Sequence, residues 1–328
     1  AATQSEVSAF FAAFDAVFAT AAPASGAARY AHLDNCYFGN GRTKAFLVGE
    51  YDGKLQLQRA RDAYRVGQVS RNIQVLAERN LENGDGSTRR ELDIQYDLAY
   101  TDGTTAFAET TTLISGSSAG SPGCTNPQDS PQWRTYGNRQ IVQAEVRSRV
   151  VRDERYSIAT GAPVNGPVRY RREVQFLVTD PMANAQYVIM TGPGPSATVG
   201  GVAVQFGMKL ISPHLLRGAP ELAGRNGNYI NALDDDAFST CRTTGSGVPV
   251  PSIADCAGLG AQGSNWGWGF TTTPDAAADA GFEAQGWVAG GWYRFDVYTD
   301  DGWKTVNGHA GRTPIATYYS QLEQLPNT

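Results

Sequence analysis

The first apolar pattern along the chain has the period of a helix. Ser5 is a candidate N-cap, and the apolar positions behind it recur every three or four residues, which predicts an amphipathic helix over residues 5–21. These positions are Phe10, Phe11, Phe14, Val17 and Phe18. Pro23 and Gly26 end the helix. We expect this aromatic stripe to pack into a core rather than to contact a ligand.

The pattern then changes from a helical period to strict alternation. Two short helices are predicted over residues 43–50 and 54–65, separated by the turn signal Asp52-Gly53. From about residue 70 apolar and polar positions alternate between glycine-containing turns, which predicts an antiparallel meander. Its strands are residues 70–80, 89–100 and 106–115, followed by 133–136 and 141–156. The first half therefore predicts helices followed by a curved antiparallel sheet.

The second half is predicted to be a separate all-β domain. A Gly/Pro-rich break at residues 160–167 marks the boundary, which gives domains 1–160 and 161–328. Short alternating segments between turn residues predict a β-sandwich. Its strands are residues 169–179, 187–191, 202–211, 292–299 and 314–322. The long irregular insert over residues 212–291 is of the kind that carries binding or contacts.

Composition excludes several functional classes. The 328 residues are 41% hydrophobic, enough for two cores, and no run approaches the roughly 18–20 apolar residues that span a bilayer. The 27 basic and 32 acidic residues give a net charge of −5, which argues against binding nucleic acid by phosphate neutralisation. Four cysteines and three histidines leave few ligands for zinc, haem or iron–sulfur clusters. No cofactor is therefore predicted, with calcium as the alternative considered below.

The four cysteines indicate the compartment. Of three possible pairings, Cys36 with Cys124 and Cys241 with Cys256 is the one that keeps each bridge within one half. The alternative is four reduced, buried thiols in a cytosolic protein. Because Cys124 lies in an irregular polar segment, where a lone thiol would be exposed, we favour the bridges and a secreted, periplasmic or cell-surface protein. The N-terminus has no signal-peptide pattern, so the chain as given is either cytosolic or already processed.

Five segments give the first half a family resemblance. They are Arg79 to Gly86, Leu92 to Tyr96, Tyr100 to Gly103, Glu109 to Ile114, and Gln132 to Asn138. A strand, a turn containing Asp-Gly, a threonine-rich strand and a final tryptophan-bearing hairpin resemble the NTF2-like, or SnoaL-type, superfamily over roughly residues 5–155. The resemblance implies an α+β cone, with N-terminal helices on a curved antiparallel sheet. Function still has to be argued from a site.

The second half resembles another module. Tyr187 to Gly194 and Tyr293 to Trp303 are similar to the immunoglobulin-like modules of bacterial envelope proteins and lipoproteins. This resemblance implies a C-terminal β-sandwich on the cell surface. It assigns no chemistry.

The best catalytic candidates lie together in one short segment. Alternation in an extended segment would put Tyr30, His32 and Asp34 on one face. The enzymes of the superfamily imply that a His near the cone mouth acts as general base with the Asp as its orienter. The alternative is a satisfied polar contact beside Cys36, which we favour.

Two other sets of residues are candidates for binding. Trp266, Trp268 and Phe270 alternate with glycines, so an extended strand presents both indoles on one side, where they can stack on a sugar or a protein. Core packing beneath the insert is the alternative. Three aspartates in turn-like segments offer oxygen ligands to calcium, although their spacing is not that of an EF-hand. They are Asp234, Asp236 and Asp300.

These observations favour a non-catalytic bacterial surface protein. We expect it to bind a glycan, another surface protein or further copies of itself through the sandwich loops. The first alternative is a small-molecule hydrolase or isomerase that uses the cone cavity with His32 and Asp34. The second is a carbohydrate-binding module that uses Trp266 and Trp268.

Overall fold

The computed structural model divides the chain into two compact units, Ala1–Gln140 and Ile141–Thr328. It describes residues 4–153, 155–164, 169–182, 184–185, 187–199, 202–211, 239–241, 261–262, 266–272, 277–299 and 314–326. The fold is α+β, with mostly antiparallel sheets and few helices. None of the described helices has the length and apolar character to cross a bilayer.

The first unit begins with short helices. They are α1 (Gln4–Ala16), α2 (Gly26–Arg29), α3 (Lys44–Gly53) and α4 (Leu55–Asp62), and a 3₁₀ turn, Ala63–Arg65, follows. Helix α1 is shorter than predicted because turns replace it after Ala16, yet Phe18 beyond its end is fully buried. Helix α3 begins where Thr43 caps it by accepting a hydrogen bond from the Phe46 amide, and it continues through the predicted turn at Asp52-Gly53.

The predicted meander is present as a four-stranded antiparallel sheet. Its strands are β3 (Val69–Glu82), β4 (Thr88–Ala99), β5 (Thr105–Ser117) and β6 (Asp129–Thr135), in that order, after a two-residue hairpin of β1 (Phe38–Gly39) and β2 (Arg42–Thr43). Register shifts interrupt all three strand pairings, and such bulges bend a sheet. Three residues of the predicted stripe, Phe10, Phe11 and Phe14, are buried in one core with the apolar face of β4, whereas Val17 is only partly buried.

The second unit contains two sheets that share one core. Its elements are β7 (Gln143–Asp153), β8 (Arg169–Thr179), β9 (Tyr187–Val199), β10 (Val202–Ile211), β11 (Ser239–Cys241), β12 (Ala261–Gln262), β13 (Trp266–Thr272), α5 (Ala277–Ala284), β14 (Gly291–Tyr298) and β15 (Ala316–Leu322). Six strands pair in the order β12-β11-β10-β9-β14-β15, and three in the order β13-β8-β7. Val174 and Phe176 from the small sheet, and Met190 and Phe295 from the large one, lie in the same buried cluster.

The division between the units differs from the predicted boundary. It falls after Gln140, 20 residues before the predicted one at 160. Strand β7, expected in the first domain, pairs along its whole length with β8, so it belongs to the second unit. The Gly/Pro-rich segment is the connection between these two strands, where Tyr156 and Pro163 form a bridge. Within the predicted irregular insert, the described residues form β11, β12, β13 and α5.

One predicted disulfide is confirmed. Cys36 and Cys124 are bonded, with 5.2 Å between their Cα atoms, and the bridge ties the segment after α2 to the loop between β5 and β6. Cys36 is buried beside Ile114 and Tyr136. The second predicted pair includes Cys256, which lies outside the described residues.

Candidate functional site

The segment with the predicted catalytic residues is not extended. Tyr30 caps the C-terminus of α2, and a turn follows through His32. Leu33 then bridges Thr135 of β6, and the Asp34 amide donates to the Thr135 carbonyl at 2.9 Å. Alternation therefore does not apply, and among the described residues no hydrogen bond joins His32 to Asp34. The predicted base and orienter pair is absent from this segment.

Asp34 has a structural partner elsewhere. Its fully buried carboxylate accepts a hydrogen bond from Arg134 Nε at 2.7 Å and another from the Cys36 amide, also at 2.7 Å. Arg134 donates further to the carbonyls of Gly116, Ser130 and Gln132. This ion pair fixes β6 to the segment that precedes the disulfide.

His32 lies instead in the wall of an aromatic cavity, which we call the tyrosine cavity. The cavity has a volume of about 410 Å³, within the range of small-molecule sites. Its aromatic wall consists of Phe14, Tyr30, Tyr37, Tyr64, Tyr96 and Tyr100. Leu33, Leu47, Leu98 and Thr135 add to it, and its charged residues are Arg29, Arg65 and Glu109.

The imidazole of His32 is held neutral. The side chain is partly exposed, but its Nδ1 atom is buried and has no hydrogen-bond partner among the described residues. Burial, and then the charges of Arg29, Arg65 and Lys44, lower the pKa of His32 to about 3. The edge of its ring meets Phe14, with 4.9 Å between ring centroids. At neutral pH the ring therefore contributes an uncharged polar group to the cavity.

The low pKa of His32 predicts acid sensitivity of the first unit. Between pH 6.5 and about 3 the unfolded chain takes up a proton that the folded chain rejects, so stability present above pH 6.5 is lost as the pH falls. We expect His32 to cost about 2 kcal/mol of the free energy of unfolding between pH 6.5 and 4.5. His32→Gln removes this loss, as denaturant titrations of both proteins at each pH will show. Parallel pH curves for the two proteins contradict the assignment.

Two guanidinium groups of the cavity wall stack on one ring. Arg29 lies 4.6 Å and Arg65 4.4 Å from the ring centroid of the buried Phe18. Arg29 is paired with Asp62 at 2.8 Å. Arg65 Nε donates to Gln68 Oε1 at 2.8 Å. Both cations are thus held against the ring of Phe18.

Burial affects the hydroxyl groups of several cavity tyrosines. Burial raises the pKa of Tyr30 and Tyr37, and it raises that of Tyr96 to about 12. The rings of Tyr64 and Tyr100 contact each other, with 4.9 Å between centroids. The cavity therefore offers flat apolar faces together with hydroxyl donors.

Two further cavities of the first unit have a different set of lining residues. One, of about 560 Å³, is lined mainly by residues of α1 and by Gln128 and Pro131 to Arg134, and His32 also reaches it. The other, of about 440 Å³, lies beside the disulfide. Neither brings two guanidinium groups and several tyrosines together, so the tyrosine cavity is the candidate site.

Neither a scan against protein-family models nor a search of the curated proteins finds a match to this sequence. The assignment of the site therefore depends on its geometry alone.

The predicted binding residues of the second half lie mostly outside the described part of the structure. The backbone of Trp266, Trp268 and Phe270 belongs to β13, which pairs with β8, but their side chains are not among those described. The predicted calcium ligands Asp234, Asp236 and Asp300 also lie outside the described residues. Within the described residues, no three His, Cys, Asp or Glu side chains gather as metal ligands.

Sequence reasoning missed most of the tyrosine cavity. Tyr96, Leu98 and Tyr100 follow each other at alternate positions around the end of β4, and this spacing signals one shared face. Arg29 directly precedes the predicted segment. Arg65 gives no local signal, because its position depends on packing against Phe18, 47 residues earlier in the chain.

Proposed function

We propose that the chain is a non-catalytic binding protein of an oxidising, extracytoplasmic compartment, and that its first unit holds a small molecule in the tyrosine cavity. The observation that carries this proposal is the composition of the cavity wall. Six aromatic rings surround a neutral imidazole whose Nδ1 atom has no partner among the described residues. A cavity of this volume in which aromatic side chains meet a few convergent polar groups is typical of small-molecule sites.

The proposal includes the two fold families that the sequence resembles. A helix on a bulged antiparallel meander supports an NTF2-like cone for the first unit. Two antiparallel sheets with one core support an immunoglobulin-like β-sandwich for the second. The bridge between Cys36 and Cys124 supports secretion or surface attachment, because disulfides persist in oxidising compartments. Binding or self-assembly through residues 212–291 remains a prediction, since most of that segment lies outside the described residues.

A catalytic role is the second candidate, favoured by the position of His32 in the cavity wall. Two observations weigh against it. A general base works best with a pKa near the working pH, whereas that of His32 is lowered to about 3. Asp34, its predicted orienter, is engaged with Arg134. Turnover of a small ester or ketone by the full chain, abolished in His32→Gln, would establish the hydrolase or isomerase instead.

Filling the cavity tests the proposed function. Leu47 lies in the cavity wall on α3, whereas Leu57 lies on α4 outside the wall and is 49% exposed. We expect the full-length protein to bind neutral aromatic amides, benzamide or 2-naphthamide, in isothermal titration calorimetry. Leu47→Trp places an indole in the cavity and should weaken binding at least about tenfold, the equivalent of 1.4 kcal/mol. The matched variant Leu57→Trp should bind like the wild type.

Two outcomes would contradict the proposed function. Equal affinity in Leu47→Trp and Leu57→Trp would place any binding outside the tyrosine cavity. Absence of binding to the wild-type protein would leave the cavity without the proposed role.

A further inference from the structure

The two arginines of the tyrosine cavity differ in their ionic partners. Arg29 has Asp62 as its counter-ion at 2.8 Å. Arg65 makes no ion pair among the described residues, although burial and the neighbouring Arg29 lower its pKa and so disfavour its charge. Glu109 lies at the exposed part of the wall and forms no ion pair with either arginine. Arg65 is therefore the arginine of this wall that has no carboxylate at ion-pair distance in the described part of the chain.

The guanidinium of Arg65 is held in place by contacts that leave its two terminal nitrogens available. Nε is occupied by Gln68 Oε1, and the plane is held over Phe18, with Phe14 at 6.0 Å. Its two terminal nitrogens have no hydrogen-bond partner in the described part of the chain. A planar guanidinium fork fits the two oxygens of a carboxylate, and a fixed fork loses little entropy when it binds one.

The surroundings of Arg65 select a flat molecule. The contacting rings of Tyr64 and Tyr100 lie in the same wall, and the charge of Arg65 acts on the hydroxyls of Tyr30 and Tyr96. Aromatic ligands stack on or meet such rings edge to face.

We propose that the ligand of the tyrosine cavity is an aromatic monocarboxylate, an assignment that rests on the proposed function. Its carboxylate pairs with Arg65 while its ring packs among the tyrosines. Arg65 then selects a ligand that carries a carboxylate, and the aromatic wall selects a ligand with a flat ring.

The experiment compares two compounds of the same shape. In calorimetry with the full-length protein at pH 7 and low salt, we expect 2-naphthoate to bind about 10- to 100-fold more tightly than 2-naphthamide, as a charge-assisted hydrogen bond implies. Arg65→Gln should abolish this preference, so that the acid and the amide bind with affinities within about twofold of each other, since the charge that distinguishes the two compounds is gone. The matched control Arg61→Gln, at an exposed position of α4 outside the cavity wall, should retain it.

The outcomes separate this inference from the proposed function. If 2-naphthamide binds as tightly as 2-naphthoate, and Leu47→Trp weakens both, the cavity binds small molecules but the carboxylate assignment is wrong. If neither compound binds, both the proposed function and the assignment fail. Should Arg65→Gln not fold, as judged by circular dichroism, the comparison of acid and amide on the wild-type protein still decides. A loss of the preference in 0.5 M NaCl should accompany the expected result, since salt screens exposed charge more than packing.

Discussion

Replacing both Cys36 and Cys124 by alanine is expected to lower the free energy of unfolding of the first unit by about 4–5 kcal/mol. The bridge joins residues 88 positions apart, so without it the unfolded chain regains the entropy of a long loop. Helices α3 and α4, together with β3, β4 and β5, lie inside that loop. Hydrogen exchange followed by mass spectrometry, on peptides of β4 and β5, measures the loss within this unit.

The matched control for this prediction is reduction. Dithiothreitol should destabilise the same β4 and β5 peptides in the wild-type protein by a similar amount and should have no further effect on them in the double alanine variant. Unchanged protection of these peptides in the double variant would contradict the stabilising role of the bridge.

The elements that could be predicted from sequence are those with a local signal. The meander of β3, β4 and β5 follows from alternation between turns at Asn83-Gly84-Asp85-Gly86 and Thr101-Asp102-Gly103-Thr104, because a two-residue period specifies a half-buried strand. The buried stripe of α1 follows from its helical spacing. The bridge to Cys124 follows from an isolated cysteine in a polar segment. In each case the sequence signal comes from residues that lie within a few positions of one another along the chain.

The elements that could not be predicted depend on distant partners. Alternation placed β7 with the first sheet, but its actual partner is β8 on the far side of the Gly/Pro-rich connection. The same limit applies to Asp34, whose partner Arg134 lies 100 residues away. A carboxylate two positions from a histidine predicts an acid–base pair only if the backbone is extended, and the turn after α2 removes that condition.

The tyrosine cavity contains residues with a local sequence signal and residues whose positions depend on distant partners. Tyr96 and Tyr100 belong to a strand that the sequence predicts, so their shared face was accessible to inspection. Phe14 was recognised as buried, but not as the wall of a cavity. The stacking of Arg29 and Arg65 on Phe18 depends on a tertiary arrangement of α2, the 3₁₀ turn and the end of α1, and no periodicity reports it. The candidate site of this unit is therefore formed by the tertiary packing of distant segments and not by a local sequence motif.

Asp34→Asn is expected to destabilise the first unit by about 3–5 kcal/mol, the range for removal of one partner from a buried ion pair. Asp34 is fully buried, and the side chain of Arg134 is only 7% exposed. The substitution preserves shape and an acceptor for the Cys36 amide, but among the described residues it leaves the guanidinium with backbone carbonyls as its hydrogen-bond partners. A buried charge without a counter-ion is unfavourable in a region of low dielectric constant, so exchange of the β4 and β5 peptides should accelerate.

The same substitution at a surface pair provides the control. Asp93 pairs with Arg79 through two hydrogen bonds, at 2.6 and 2.9 Å, but the two side chains are 34% and 41% exposed. Solvent screens that pair, so Asp93→Asn should cost about 1 kcal/mol or less. If Asp34→Asn is no more destabilising than Asp93→Asn, the buried pair does not fix the disulfide segment to β6. A large difference between two identical chemical changes would instead show that the buried pair stabilises the unit more than the exposed pair does.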